Sequence, residues 1–86
     1  MSYTNRLIKY AKQLEALFVV ERDAESHRYC VFINLVGYKE KYLRKSINGI
    51  GFTIEDACYD LIKKAHGGYL THYITEKEVE VRWKNH

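Results

Sequence analysis

Apolar side chains in the first part of the chain recur with the period of a helix. Leu7, Ala11, Leu14 and Phe18 stand four, three and four residues apart, and Ile8, Tyr10 and Leu17 widen the stripe, which predicts an amphipathic helix over 5–17. Thr4 or Asn5 is placed to cap its start, while Arg6, Lys9, Lys12, Gln13 and Glu15 form the opposite, polar face. The pattern then changes. Leu17-Phe18-Val19-Val20-Glu21-Arg22 is β-branched and aromatic, Asp23-Ala24-Glu25-Ser26 is polar, and 27–36 holds the longest apolar run, which Gly37 ends. Two antiparallel strands joined by a short loop account for this order. The second strand, apolar on both faces from Cys30 to Ile33, is expected to be central.

After Gly37, Tyr38-Lys39-Glu40-Lys41 reads as a basic connection, and Tyr42-Leu43-Arg44-Lys45-Ser46-Ile47 as a third, more polar strand near a sheet edge. Asn48-Gly49 is a turn signal, with Gly51 a second flexible point. Thr53 is a good N-cap, and Glu55 and Asp56 complement the helix dipole in the first turn. Ile54, Ala57, Cys58, Leu61, Ile62 and Ala65 give the buried stripe of a second helix, which Gly67-Gly68 stops. Residues 66–75 fit a helical turn or a surface crossing. Glu78-Val79-Glu80-Val81-Arg82-Trp83 alternates strictly and predicts a strand within 76–84, with Val79, Val81 and Trp83 toward the core or a partner. Pairing inside the chain and pairing across a homodimer axis both satisfy such a strand. The expected architecture is α+β, an antiparallel sheet of three to four strands with two helices packed on one face, formed by 1–86 as a single domain.

Composition narrows function mainly by exclusion. At 86 residues the chain has room for one core and little for a deep catalytic cleft. No run of about 18 apolar residues offers a membrane span, and the start of the chain lacks a signal-peptide pattern, so a cytoplasmic location is the expectation. Cys30 and Cys58 each stand among apolar neighbours and read as free buried thiols. His27, His66, His72 and His86 are scattered and match no zinc spacing, so neither a metal nor a cofactor is expected. Glu55 with Asp56, and Glu78 with Glu80, are explained by helix capping and by an exposed strand face, which leaves no acid–base constellation and predicts a non-enzyme. The net charge of +3 is mild. Abundant Lys, Ile and Tyr with no Pro suggest an AT-rich coding source, such as a low-GC bacterium or its phage.

Helix, three strands and helix over 5–66 resemble the double-stranded-RNA-binding domain. His27 after a short loop, Val31 and Ile33 in the strand that follows, Gly49-Ile50-Gly51-Phe52-Thr53 as the Gly-x-Gly-x-Ser/Thr junction, and Ala57 in the second helix carry the likeness. The resemblance implies RNA contacts from the first helix through Arg6, Lys9, Lys12 and Gln13, and from the loop before the second strand through His27 and Arg28. Where the family places a lysine cluster at the start of its second helix, this chain has Ile54-Glu55-Asp56, whose acids repel phosphates.

Two functions follow as expectations. The first is a small non-enzymatic protein-interaction module, such as a phage-type accessory factor or inhibitor. It would meet a partner protein, or a second copy of itself, through Tyr38, Tyr42, Tyr69, Tyr73, Val79, Val81 and Trp83. The second is binding of double-stranded RNA or DNA by the basic face of the first helix together with Lys39, Lys41, Arg44 and Lys45.

Overall fold

Residues 2–82 are described by a computed structural model. Helix α1 runs Tyr3–Gln13, and Ser2, not Thr4 or Asn5, caps it, its hydroxyl accepting the Asn5 N–H at 3.0 Å. Leu7, Ala11 and Leu14 are buried as the stripe requires. The helix stops four residues early because Glu15 turns the chain through a left-handed backbone, φ 53°. Strands β1 (Phe18–Asp23) and β2 (Arg28–Ile33) then pair antiparallel from Phe18↔Ile33 to Asp23↔Arg28. The Asp23 carboxylate closes their turn, accepting the Glu25 N–H at 3.0 Å and the Ser26 hydroxyl at 2.9 Å, and those bonds hold it below the ordinary carboxylate range.

Beyond β2 the path departs from expectation. The apolar run does not continue as one strand to Val36. Asn34-Leu35 bends it, Leu35 taking φ 61°, and Gly37 lies inside a new strand, β3 (Val36–Glu40). The supposed basic connection is thus a strand. It pairs with β4 (Leu43–Ser46), and β5 (Gly49–Gly51) returns to pair with β2. Helix α2 (Ile54–Ala65) follows, then β6 (Tyr69–His72) and β7 (Glu78–Glu80). Residues 66–75, left open by the sequence, therefore include a strand enclosed between β3 and β7. The result is α+β with two antiparallel sheets, β1-β2-β5 and β4-β3-β6-β7. The expected third strand, 42–47, is β4 and belongs to the second sheet, and β5, where a turn was expected, takes the place beside β2.

Both sheets share one long hairpin whose arms differ in length. Between the pairs Val31↔Gly49 and Gly37↔Ser46, one arm carries residues 32–36 and the other only 47 and 48. A mismatch larger than an ordinary bulge cannot be absorbed by local twist, so the arms split into two sheets. One core joins them: Leu7, Val31, Leu61, Ile62, Leu70 and Val81 are all fully buried. A radius of gyration of 12.1 Å matches the roughly 12 Å expected of a compact domain this size. C-terminal strand β7 pairs with β6 inside the chain, Leu70↔Val79, and forms an edge of the second sheet. Val79 and Val81 face the core, while Trp83 lies outside the described residues.

Two contacts fix α2. Gly49 was expected to turn the chain, yet it is a strand residue pressed against the helix. A Cβ there would lie 1.9 Å from the Ala57 carbonyl oxygen and 2.8 Å from Leu61 Cβ. The β5 backbone is tied from the same side, the Ile50 N–H donating to Asp60 at 2.9 Å. At the other end Thr53 caps the helix, accepting the Asp56 N–H at 3.0 Å. Glu55 reaches across to α1, where it accepts the Tyr3 N–H at 2.8 Å, the Thr4 N–H at 2.9 Å and the Thr4 hydroxyl at 2.7 Å. Burial raises the Glu55 pKa, but these bonds to its charged form outweigh burial and leave it lowered.

Gly49→Ala is expected to cost about 3 kcal/mol by urea denaturation, since neither the helix backbone nor Leu61 can yield. Gly67→Ala, at φ 88° with nothing within 4 Å, should cost only about 1 kcal/mol of backbone strain. Glu55→Gln should remove about 2 kcal/mol at neutral pH. Because the folded value is depressed, this contribution is complete above the unfolded carboxylate value near 4.3 and is lost as pH falls through the folded one. A stability profile against pH that is flatter in Glu55→Gln than in wild type checks it.

Candidate functional site

The split in the long hairpin opens a groove of about 480 Å³ at the seam between the sheets. Phe32, Ile33, Leu35 and Val36 line it from the longer arm, Ile47 from the shorter, and Tyr73 from the connection after β6. Ser46 and Asn48 complete the wall, so among the described residues no lining side chain carries an ionisable acid or ammonium group. Apolar surface continues beside it. Leu17, whose carbonyl accepts the Asn34 N–H at 2.8 Å, is 67% exposed, and Ile74, next to Tyr73, is 71% exposed. Tyr73 is anchored to the seam by its N–H, which donates to the Leu35 carbonyl at 2.9 Å.

The tyrosine set divides. Tyr73 joins the groove, but Tyr38, expected at the surface, is buried, its hydroxyl on Glu40 at 3.1 Å. Burial is the main cause of the raised Tyr38 pKa. The placement follows from β3 being an inner strand, with Tyr38 opposite Leu70 on the core side. Tyr42 is 98% exposed at the β3–β4 turn, and Tyr69 is exposed on β6, both away from the groove-lining residues.

The basic set is dispersed. Arg6 does not belong to the solvated face: it is buried, its guanidinium donating to the Arg82 carbonyl and to the Tyr10 hydroxyl at 3.2 Å and lying 5.7 Å from the Tyr3 ring. Lys9, Lys12 and Gln13 are exposed on α1. His27 sits at φ 59° in the β1–β2 turn, and Arg28 stacks 5.0 Å over Phe52. Lys39 pairs with Glu78 at 3.0 Å, and Arg44 with Glu76 at 3.4 Å. Lys41 is exposed at the β3–β4 turn, and Lys45 lies 5.8 Å over the Tyr38 ring. On the opposite side of the Ile47-Asn48 crossing, a second hollow of about 420 Å³ contains Lys45 and Lys64. There Lys64 is already held by Asp60 at 2.9 Å and the Asn48 carbonyl at 3.2 Å.

The thiols differ. Cys58 is fully buried, and burial pushes its pKa up. Cys30 is only half-buried, on the β2 face away from α2, with the Asn48 side-chain amide donating to its sulfur at 3.3 Å. Among the described residues no group of three or more His, Cys, Asp and Glu is placed to hold a metal, and no helix is long and apolar enough to cross a membrane. Sequence reasoning missed the exposed Leu35 and Ile74 and the half-buried Phe32 and Ile47 as residues of the groove and its rim. The one local signal was Asn34, a residue that favours turns, inside an otherwise apolar run.

A thiol-specific reagent such as Ellman's should modify Cys30 in the folded chain and reach Cys58 only in denaturant. Equal labelling rates at the two positions, followed by peptide mass spectrometry, would contradict this.

No family model matches the chain, and neither a curated protein nor a solved structure matches it.

Proposed function

We propose that the chain is a small protein-interaction module that receives an apolar, uncharged segment of a partner protein in the seam groove. The observation that carries this reading is the lining itself. Among the described residues six of its lining side chains are apolar or aromatic and none is a charged group, so a charged ligand would lose its hydration there without a compensating pair. Exposed Leu17 and Ile74 extend the apolar area at the rim, the kind of contiguous patch that marks interaction surfaces. Aromatic anchors such as Tyr73 and Phe32 suit the centre of an interface. This reading takes the groove as the interaction surface, with β7 already paired on one side by β6 inside the chain.

Selection of peptides on the immobilised chain, with affinities measured by titration, tests the reading. Uncharged apolar peptides should be enriched, and Leu35→Asp should weaken them at least about tenfold, or 1.4 kcal/mol. Asp tolerates the left-handed backbone at this position, so thermal stability should change little. Tyr42→Ala, far from the groove-lining set, should leave affinity unchanged. Peptides indifferent to Leu35→Asp would place the site elsewhere. Salt-dependent binding of duplex RNA or DNA, weakened by Lys45→Glu, would favour nucleic acid instead.

A further inference from the structure

The groove wall formed by Tyr73 belongs to a connection that hangs on one ring nitrogen. His72 is buried at the end of β6, and its Nδ1 accepts the Ile74 N–H at 3.1 Å and the Thr75 N–H at 3.2 Å. A nitrogen that accepts carries no proton, so the ring is neutral with its proton on Nε2. Backbone bonds secure the two ends of the loop: Tyr73 N–H to Leu35, His72 N–H to the Lys77 carbonyl at 2.9 Å, and Glu76 N–H to the His72 carbonyl at 3.0 Å. The middle, Ile74 and Thr75, is held through Nδ1.

We propose that His72 is a pH-sensitive latch on this loop. Protonation of Nδ1 turns an acceptor into a donor facing two N–H groups, removes both bonds, and frees Ile74 at the groove rim together with Thr75, while Tyr73 keeps its backbone bond to Leu35. The functional meaning of the latch, though not its existence, rests on the groove being the binding site. Imidazole is the side chain whose charge ordinarily changes between about pH 5 and 8. The charged groups on the elements around it are paired. Glu15, from the turn after α1, is held by Lys77 at 2.8 Å. Glu76 in the loop pairs with Arg44 of β4, and Lys39 of β3 with Glu78 of β7. On the face of β3 that His72 shares, its cross-strand partner is Val36, and the hydroxyl of Tyr38 is turned to Glu40. The acids on these neighbouring elements are thus each paired with a cation or a hydroxyl, and the two N–H groups on Nδ1 are the contacts that a proton there would break. One proton separates the states, so each pH unit below the titration shifts the balance up to about tenfold toward the open loop.

Hydrogen exchange by NMR on the whole chain, from pH 7.5 to 5, tests the latch. Protection factors of Ile74 and Thr75 should fall as pH drops, while those of Val31 and Leu61 hold. His72→Gln, whose side-chain oxygen accepts at every pH, should give flat profiles at Ile74 and Thr75, and His72→Phe should leave both unprotected throughout. A fall that persists in His72→Gln, or that Val31 and Leu61 share, overturns the proposal. Should the variants not fold, the wild-type Nδ1 nitrogen shift decides, because a protonated Nδ1 at pH 7.5 overturns it. Peptide affinity measured at both pH values separates the two claims: loop opening without any change in affinity leaves the latch standing and removes the groove as the binding site.

Discussion

Unequal arms in one hairpin govern this structure. Residues 32–36 have only 47 and 48 to face them, so β2 and β5 cannot stay in one plane with β3 and β4. Every larger feature follows from that mismatch. It makes two sheets where one would have formed, it forces Leu35 into a left-handed backbone, and it leaves a wedge between the sheets that no side chain fills. The core runs continuously under the wedge through Val31, Val36 and Leu70, which allows the upper side of the seam to stay open without a loss of cohesion.

The clamp between the helices is a second constraint, and it changes the meaning of an acid that sequence alone assigned to its own helix. Glu55 was expected to answer the dipole of α2. It does so from the first turn, but its carboxylate is spent on the start of α1, where Tyr3 and Thr4 have N–H groups with no helical partner. An acid that argues against phosphate at this site is thereby a structural part, as is Arg6, whose charge is turned inward on a backbone carbonyl and two tyrosines.

Much of the fold was legible. The second helix was readable to the residue because Thr53, the buried stripe and Gly67 agree, and β1 and β7 announced themselves by β-branched content and alternation. What stayed hidden has a common cause. Among the described residues five that are not glycine, Glu15, His27, Leu35, Lys41 and Glu76, take left-handed backbones, and only Leu35, after Asn34, stands beside one of the glycine or asparagine signals by which such turns are read. Gly37 and Gly49 misled in the opposite sense, being present for close approach to Tyr73 and to Ala57 and not for turning. The groove was illegible because it arises from a register mismatch between distant segments, a property no local pattern records. For the same reason Leu35 and Ile47 looked like ordinary strand interior.

Because the second sheet draws β3 and β4 from before α2 and β6 and β7 from after it, the sheet cannot be completed until the helix has been placed. The β3–β4 hairpin closes locally through Lys41-Tyr42, and its arms carry β5 back to β2, so the first sheet and its helix form a natural early unit. Completing the second sheet needs β6 and β7 from beyond α2, and with no proline in the chain their pairing meets no slow prolyl isomerisation. The segment beyond α2 thus supplies the groove wall at Tyr73, so that surface exists only when parts of the chain from both sides of the helix have met.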